Sequence, residues 1–226
     1  MNKPIVVIPT YNNPLSIKKV ILDVLDHDYE LIVVDDGSKE PVKELLSNEI
    51  LQKVTIVTHK RNQGKGSALI SGATKAKELG FENFVSMDGD GQHLANQVEK
   101  LVNSNNENNQ IVLGCRNFEI DNIPAKSKIG RSFHNFCIKM NTGFNIQDSL
   151  TGFRLYPVSI LDLGLKQNGF SFEVEVLVKH YRKHKKIAQT IIECYYPTPE
   201  ERVSHFDNYR DTLRFIKLHL QLLLFP

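Results

Sequence analysis

Residues 84–93, FVSMDGDGQH, join an apolar run of strand-forming residues to a pair of carboxylates. The carboxylates are Asp88 and Asp90, and Gly89 lies between them. Glycine lets the backbone turn sharply and approach a ligand closely, so the stretch predicts a buried strand with charge at its end. The structural alternative is an acidic turn, because Asp and Gly are common in turns.

The same stretch contains a set of oxygen ligands. Asp88, Asp90 and Gln92 carry oxygen atoms at alternate positions, and oxygen suits Mg²⁺ or Mn²⁺ better than a soft metal. A divalent ion held by one or two carboxylates usually completes its coordination shell with water and substrate phosphates. We therefore predict a Mg²⁺ or Mn²⁺ site that binds a nucleotide diphosphate.

Strands and helices alternate along the first half of the chain. Strands are predicted at 4–9, 29–35, 54–58, 84–88 and 111–114, and helices at 15–26, 41–49, 67–79 and 94–103. This alternation is typical of a mostly parallel sheet with helices on both faces. Ligands bind beyond the carboxyl ends of strands in such sheets, so Tyr11, Asp36 and Asp88 are expected to lie close together.

The second half of the chain has no such regular alternation. Here we predict helices at 130–140, 172–183 and 208–225, a short strand after 148, a strand at 187–195 and a loop at 197–206. No linker or internal repeat separates the halves. We therefore predict a single α/β domain with a nucleotide-binding half at 1–116, a second half at 117–206 and a C-terminal helix at 207–226.

Composition excludes several classes of protein. The formal net charge is +2, with acidic and basic residues interleaved, which gives no indication of nucleic-acid binding. The three cysteines lack metal-ligand spacing and suggest reduced thiols. Neither a secretory leader nor an apolar run of about 18 residues is found. We expect a cytoplasmic protein that is soluble or attached to the inner face of the membrane.

A glycine-rich segment precedes the third predicted helix. It is not a P-loop, because the required earlier glycine would fall at His59, and it is not a dinucleotide fingerprint, because Leu69 replaces the third glycine. Lys65, within this segment, could contact a phosphate or a nucleobase, or it could extend into solvent.

Four segments together form a specific pattern: 9–12 (PTYN), 34–38 (VDDGS), 62–66 (NQGKG) and 88–93 (DGDGQH). In this order and spacing the chain resembles family 2 glycosyltransferases of the GT-A fold. Residues 148–154 (DSLTGFR) resemble the branch that transfers sugars to dolichyl or polyprenyl phosphate. The resemblance implies that 117–206 is the acceptor-binding half.

The resemblance also implies roles for individual residues. Substrates would be bound by Pro9, Tyr11, Asn13, Asp36, Lys65, Gly66, Asp88, Gly89, Arg154 and Arg202. The metal would be bound by Asp88, Asp90 and Gln92, with Arg116 and Arg131 at the phosphates. Apart from the resemblance, His93 follows the metal-binding turn directly and could cap or orient it. Asn13 is a departure from the family pattern, which often has Glu there; an uncharged amide changes the nucleotide preference.

The chemistry of glycosyl transfer indicates which groups matter. Negative charge grows on the leaving diphosphate, so a divalent ion, Arg116 and Arg131 would stabilise the transition state. A hydroxyl acceptor needs a general base, for which Asp148, Glu173 and Glu175 are candidates, although Glu173 also suits the first turn of a helix. A phosphate acceptor, with a second pKa near ~6, is already an anion.

The C-terminal helix has two interpretations. It is basic and amphipathic, so it could lie on an anionic membrane surface where a lipid-linked acceptor is found. Alternatively, it packs against the domain or against a second subunit.

We therefore predict a metal-dependent, inverting hexosyltransferase of cell-envelope glycan biosynthesis. It would move a sugar from a nucleotide-diphosphate sugar to a polyprenyl phosphate at the membrane surface. The alternatives are transfer to a glycan or other hydroxyl acceptor, a sugar-1-phosphate nucleotidyltransferase, and an inactive nucleotide-sugar-binding protein. The chain lacks the Gly- and Arg-rich N-terminal loop of the nucleotidyltransferases, and the intact Asp88, Asp90 and Gln92 argue against lost activity.

Overall fold

The computed structural model describes residues 3–117, 125–195 and 208–224, with side chains at 3–117, 131–195 and 214–224. The strands are β1 Ile5–Thr10, β2 Leu31–Asp35, β3 Val54–Thr58, β4 Asn83–Ser86, β5 Ile111–Arg116, β6 Arg154–Pro157 and β7 Ile187–Ile192. The α-helices are α1 Ile17–Asp26, α2 Asn48–Leu51, α3 Lys65–Glu78, α4 Val98–Asn103, α5 Ala125–Thr142, α6 Phe172–His184 and α7 Asn208–Leu224. Short 3₁₀ helices cover Val42–Glu44, Ala95–Gln97 and Val158–Leu163.

The described strands form one sheet in the order β3-β2-β1-β4-β6-β5-β7. All neighbouring pairs are parallel except those of β6, which runs antiparallel to both β4 and β5. The prediction of a mostly parallel sheet flanked by helices is confirmed. The carboxyl ends of the parallel strands lie at one edge, and reversed β6 brings its first residue, Arg154, to the same edge opposite Ser86.

Helices cover both faces of the sheet, so the central strands are buried on both sides. Ile5 and Val7 of β1 belong to the apolar cluster on one face, whereas Val6 and Ile8 belong to the cluster on the other. This is the two-residue period of a strand. Each such side chain contributes about 1.5–3 kcal/mol through burial.

Two predicted helices differ from the structure. The prediction of a helix at 41–49 is wrong, because a 3₁₀ turn and the single-turn α2 replace it and both Pro41 and Ser47 are extended. Asp35 also diverts the backbone, since its Oδ2 accepts a hydrogen bond from the Val42 amide at 3.0 Å. The predicted helix at 94–103 starts as a 3₁₀ turn and becomes α-helical only at Val98.

The C-terminal helix α7 packs on α5 and α6. Phe215, Leu218 and Leu222 are buried, and Arg182 of α6 donates a hydrogen bond to the Leu222 carbonyl at 2.8 Å. The predicted packing of this helix against the domain is therefore confirmed for one of its faces. Within the described residues, no helix has the length and apolar character required to cross a membrane.

Candidate active site

A lysine joins two carboxylates at the strand edge. Lys65 Nζ, at the start of α3, lies 2.7 Å from Asp88 Oδ1 and 2.9 Å from Glu173 Oε1, in the first turn of α6. Burial alone would lower the pKa of Lys65, but the two carboxylates raise it above its ordinary value. Lys65 is thus a fixed cation. The alternative prediction, that its side chain extends into solvent, is wrong.

Asp88 is half-buried just beyond β4, with its side chain 27% exposed. Burial would raise its pKa, but Lys65, His93 and Arg116 together hold the pKa below its usual value, so the group is ionised. On the other side, the Gly152 backbone lies so close that a Cβ there would overlap the Asp88 carboxylate. Ser86 fixes this loop by donating a hydrogen bond to the Gly152 carbonyl at 2.8 Å.

Asp90 has a different environment from its neighbour. Its Oδ1 accepts a hydrogen bond from the Gln92 amide at 3.0 Å. Burial, followed by repulsion from Asp88, raises the pKa of Asp90 to about 6. A cation between the two carboxylates would relieve this repulsion, so the oxygen-rich turn fits a hard divalent ion.

The protein alone does not complete a metal cage. In the part of the chain that the structure describes, no three His, Cys, Asp or Glu side chains come together as metal ligands. A metal bound by Asp88 and Asp90 would therefore need the side-chain oxygen of Gln92, water or substrate phosphate to complete its coordination shell. This composition is typical of a nucleotide-bound Mg²⁺ site.

Arg116, at the end of β5, forms a two-pronged ion pair with Asp148. Its Nε lies 2.8 Å from Asp148 Oδ2, and its Nη2 donates to Oδ1 at 3.0 Å. Asp148 is fully buried, whereas the Arg116 side chain is 21% exposed. The carboxylate thus fixes the orientation of the guanidinium, and the side chain as a whole remains partly exposed.

Arg154 and Glu175 lie behind the site. Arg154 is fully buried and donates to four protein oxygens, namely Thr151 O, Ser149 O, Glu173 O and Tyr156 Oη. Glu175 is 2% exposed, accepts from the amides of Lys166 and Gln167 and pairs with Lys179. Their burial behind the site, among several protein partners each, does not support the predicted substrate contact of Arg154 or the predicted catalytic role of Glu175.

Asp36, after β2, is the centre of a hydrogen-bonded network. Its Oδ1 accepts from His59 Nδ1 at 2.6 Å and from the Gln63 amide at 2.9 Å, and its Oδ2 accepts from the Gly64 amide at 2.7 Å. His59 Nε2 lies 2.9 Å from Ser71 Oγ. Because a carboxylate can only accept, Nδ1 carries a proton and donates it to Asp36. Among the described residues, these three bonds leave Asp36 one further acceptor position, and they fix the loop that carries Lys65.

Sequence reasoning missed the residues that join these loops. Asn12 has a positive φ of 53°, its amide donates to Ser38 Oγ, and its Oδ1 accepts from the Lys39 amide. Ser16 Oγ donates to the Gly89 carbonyl at 2.6 Å. The signal for Asn12 was its residue type, since Asn tolerates the left-handed region better than most residues. His59 and Ser71 had no local signal.

The remaining predicted residues fall into three groups. Tyr11 and Asn13 are half-buried in the loop after β1, while Pro9 and Gly89 are buried. Gly66 is so close to Phe172 and Asn168 that a Cβ would clash, and burial lowers the pKa of His93, which stacks on Phe153, to about 4. Arg131 is half-buried on α5, and Arg202 lies outside the described residues.

Comparison with known proteins agrees with this geometry. The model of the glycosyl transferase family 2 matches residues 5–164. A UDP-N-acetylglucosamine–dolichyl-phosphate N-acetylglucosaminyltransferase of Methanococcus voltae is 31% identical over 174 residues, covering 69% of each chain. An undecaprenyl-phosphate mannosyltransferase of Micrococcus luteus is 27% identical over 199 residues, covering 82% of this chain and 81% of that protein.

Solved structures show the same fold at low identity. Glucosyl-3-phosphoglycerate synthase of Mycobacterium tuberculosis, in complex with UDP, has a TM-score of 0.69 at 20% identity. The match covers 100% of this chain and 82% of the synthase chain. The same enzyme with Mn²⁺, UDP and glucosyl-3-phosphoglycerate has a TM-score of 0.68 at 19% identity, with 100% and 81% covered. The family match, the relatives and the fold together show that this chain belongs to glycosyl transferase family 2 and has the GT-A fold.

Proposed function

We propose that this glycosyltransferase moves a sugar from a nucleotide-diphosphate sugar to a polyprenyl phosphate. The observation that carries the choice of acceptor is that all three candidate bases are engaged in ion pairs. Asp148 faces Arg116, Glu173 faces Lys65, and Glu175 faces Lys179. An acceptor that is already an anion needs no base, whereas a hydroxyl does.

Arg116 suits such an acceptor. Its side chain, held by Asp148 and 21% exposed, lies at the same edge of the sheet as Asp88. A guanidinium in a fixed orientation recognises phosphate oxygens in two-pronged geometry. Arg131 would add a second positive charge from α5. We propose that these two arginines hold the phosphates, and that the acceptor attacks from the face opposite the leaving group, with inversion.

Asp88, Asp90 and Gln92 would hold a Mg²⁺ or Mn²⁺ ion. When bound, the ion supplies positive charge at the leaving diphosphate. Tyr11 and Asp36 would bind the nucleoside, with the free acceptor position on Asp36 Oδ2 available to a base N–H or a ribose hydroxyl.

We also propose that the protein attaches to the membrane through one surface, here named the α5–α7 apolar surface. It consists of Phe133, Phe136, Met140, Ile216, Leu220, Leu223 and Leu224, whose exposed fractions range from 38% to 70%. Exposed Lys139 and Lys217 belong to the same two helices and would attract anionic lipids. Asn135 places this surface near the site, since it binds the Ser149 amide and the Gln147 carbonyl beside Asp148.

The test is to measure binding and transfer separately. Calorimetry with UDP, GDP and CDP, each with and without Mn²⁺, should show one nucleotide that needs the metal, and Asp90→Asn should weaken that binding at least ~100-fold. Transfer from the matching sugar nucleotide should then occur to polyprenyl phosphate. Transfer to the unphosphorylated polyprenol or to a glycan instead would support the hydroxyl-acceptor alternative, and no nucleotide binding at all would refute the proposal.

A further inference from the structure

We propose that His59, supported by Ser71, is a positioning residue that sets the nucleotide preference of this enzyme by holding the Asp36 carboxylate in one orientation. This inference rests on the proposed function, in which Asp36 binds the nucleoside, and deepens it. In this role His59 contacts no substrate and acts through Asp36.

The three side chains form a chain of contacts across three elements. Asp36 directly follows β2, His59 directly follows β3, and Ser71 lies inside α3. His59 Nδ1 lies 2.6 Å from Asp36 Oδ1, and His59 Nε2 lies 2.9 Å from Ser71 Oγ. Both ring nitrogens are thus engaged, so the orientation of the imidazole is fixed from two sides.

Among the described residues, three donors hold the Asp36 carboxylate, and His59 is the one side chain among them. The other two are the Gln63 and Gly64 amides, at 2.9 Å and 2.7 Å. Hydrogen bonds to a carboxylate are stronger than those between neutral groups, and the His59 contact of 2.6 Å is the shortest of the three. The remaining acceptor position of Asp36 therefore points in a direction that His59 helps to set.

The backbone around this contact is also fixed. The His59 amide donates to the Asp35 carbonyl at 2.8 Å, which extends the pairing of β3 with β2 by one residue. Gly37 has a φ of 78°, and a Cβ on it would overlap the backbone of Arg61. The loops after β2 and β3 are thus packed directly on each other, and the His59 side chain, 9% exposed, joins them to α3. Groups held in this way discriminate strongly between ligands.

The order Asp36, His59, Ser71 also resembles a serine nucleophile with its base, but the backbone does not support that activity. Ser71 lies inside α3, so the amides beside it are used in helical hydrogen bonds and cannot form an oxyanion hole. The hydroxyl can still support the ring, because it donates to an unprotonated Nε2 and accepts from a protonated one. Ser71 therefore holds His59 in either protonation state of the ring.

The experiment separates the nucleoside from the diphosphate. Calorimetry in Mn²⁺ compares UDP, GDP, CDP and inorganic pyrophosphate, which lacks a nucleoside. The variants are His59→Asn, whose amide lies near the position of Nδ1, His59→Gln, whose amide lies near the position of Nε2, and Ser71→Ala. The controls are His27→Asn at an exposed histidine, and Thr74→Ala, which removes an exposed hydroxyl further along α3.

We expect wild type to bind one of the three nucleotides most tightly. His59→Gln should raise the ratio of Kd for that nucleotide to Kd for pyrophosphate about tenfold, the effect of losing one hydrogen bond to a charged group. The preference over the other two nucleotides should shrink by a similar factor, while Kd for pyrophosphate changes less than about threefold. His59→Asn keeps a donor for Asp36 and should retain most of the wild-type affinity.

Ser71→Ala removes one hydrogen bond to the ring and should raise the same ratio about threefold. This variant loses only a hydroxyl group, so it tests the inference even if His59→Gln is too unstable to study. Both controls should match wild type.

Three results would overturn the inference. Equal weakening of all four ligands by His59→Gln would mean that His59 only stabilises the loops, and unchanged binding of all four would mean that Asp36 needs no such support. Equal binding of the three nucleotides to wild type would leave no preference for His59 to set. Wild-type protein that binds none of the three nucleotides is a distinct outcome, because the proposed function itself then fails and the inference falls with it.

Discussion

Individual charged side chains at the strand edge are arranged so that carboxylates face cations. Lys65 lies between Asp88 and Glu173, and Arg116 faces Asp148. Asp90 is the exception, and its raised pKa marks the position where a further positive charge would be favourable. The ion pairs thus hold the site together and leave Asp90, beside Asp88, available for a metal.

The pair of Arg116 and Asp148 makes a stability prediction. Arg116→Met leaves the fully buried Asp148 without its partner, so the free energy of unfolding should fall by about 3 kcal/mol. The double variant Arg116→Met with Asp148→Asn should recover at least half of that loss, because no buried charge remains. Urea unfolding of wild type, Arg116→Met, Asp148→Asn and the double variant measures these values; additive losses would contradict the idea that the two groups act as a pair.

Local sequence predicted part of this site and could not predict the rest. Asp88 and Asp90 could be predicted because a strand, a glycine and a second carboxylate occur within a few residues. Glu173, the second partner of Lys65, lies in the other half of the chain. The two residues pair only because α3 and α6 begin at the same edge of the sheet. For the same reason, no local pattern could show that Glu175 turns away from the site while Glu173 turns towards it.

At the level of elements, α7 is held on α5 and α6 through buried histidines. His134 of α5 and His219 of α7 have ring centroids 6.0 Å apart, and His134 also packs edge-on against Phe215 at 4.4 Å. Asn141 Nδ2 lies 3.4 Å from His219 Nδ1, and the cation of Arg182 binds the Asn141 carbonyl beside it. Burial lowers the pKa of both histidines to about 4.

This arrangement predicts that acid loosens α7. Both histidines are neutral in the folded protein, with pKa values below the ordinary value of about 6.5, so their contribution is complete above pH 6.5 and is lost as pH falls towards 4. At pH 5 the loss should be about 2 kcal/mol per histidine. Hydrogen exchange of α7 amides at pH 7.5 and pH 5 measures it, after correction for intrinsic rates; His219→Gln should reduce the effect, and equal protection at both pH values would contradict it.

The elements themselves were largely predictable, because long periodic segments such as α3 and α6 carry their own pattern. The segment after β2 was not, since the Asp35 carboxylate captures the Val42 amide and prevents a continuous helix. A tertiary hydrogen bond of this kind overrides helix propensity, which is only a weak preference.

At the scale of the whole molecule, the proposed membrane attachment would make the α5–α7 apolar surface and the strand edge parts of one working arrangement. A lipid-linked phosphate would remain in the membrane while its charged end reaches Arg116. The proposed attachment through exposed side chains would be reversible, since each buried Leu or Phe contributes only about 1.5–3 kcal/mol.

The membrane proposal predicts a specific loss of binding. Phe136→Glu and Leu220→Glu should each weaken binding to vesicles containing anionic lipid at least ~10-fold, because each removes apolar contact and adds repulsion. Leu79→Glu, at an equally exposed position at the end of α3, is the matched control and should bind as wild type does. Vesicle sedimentation gives the affinities; equal loss in all three variants, or in none, would count against the α5–α7 apolar surface.

The reversed strand β6 has a consequence for how the chain folds while it is being synthesised. On the ribosome, β4 and β5 emerge before the strand that must separate them, because β6 begins at Arg154. Roughly 70 residues follow β4 before its partner exists, which corresponds to several seconds at about 5–20 residues per second. During that interval β4 has an open edge, so the nascent chain must wait with two strands held apart or pair them wrongly and separate them again.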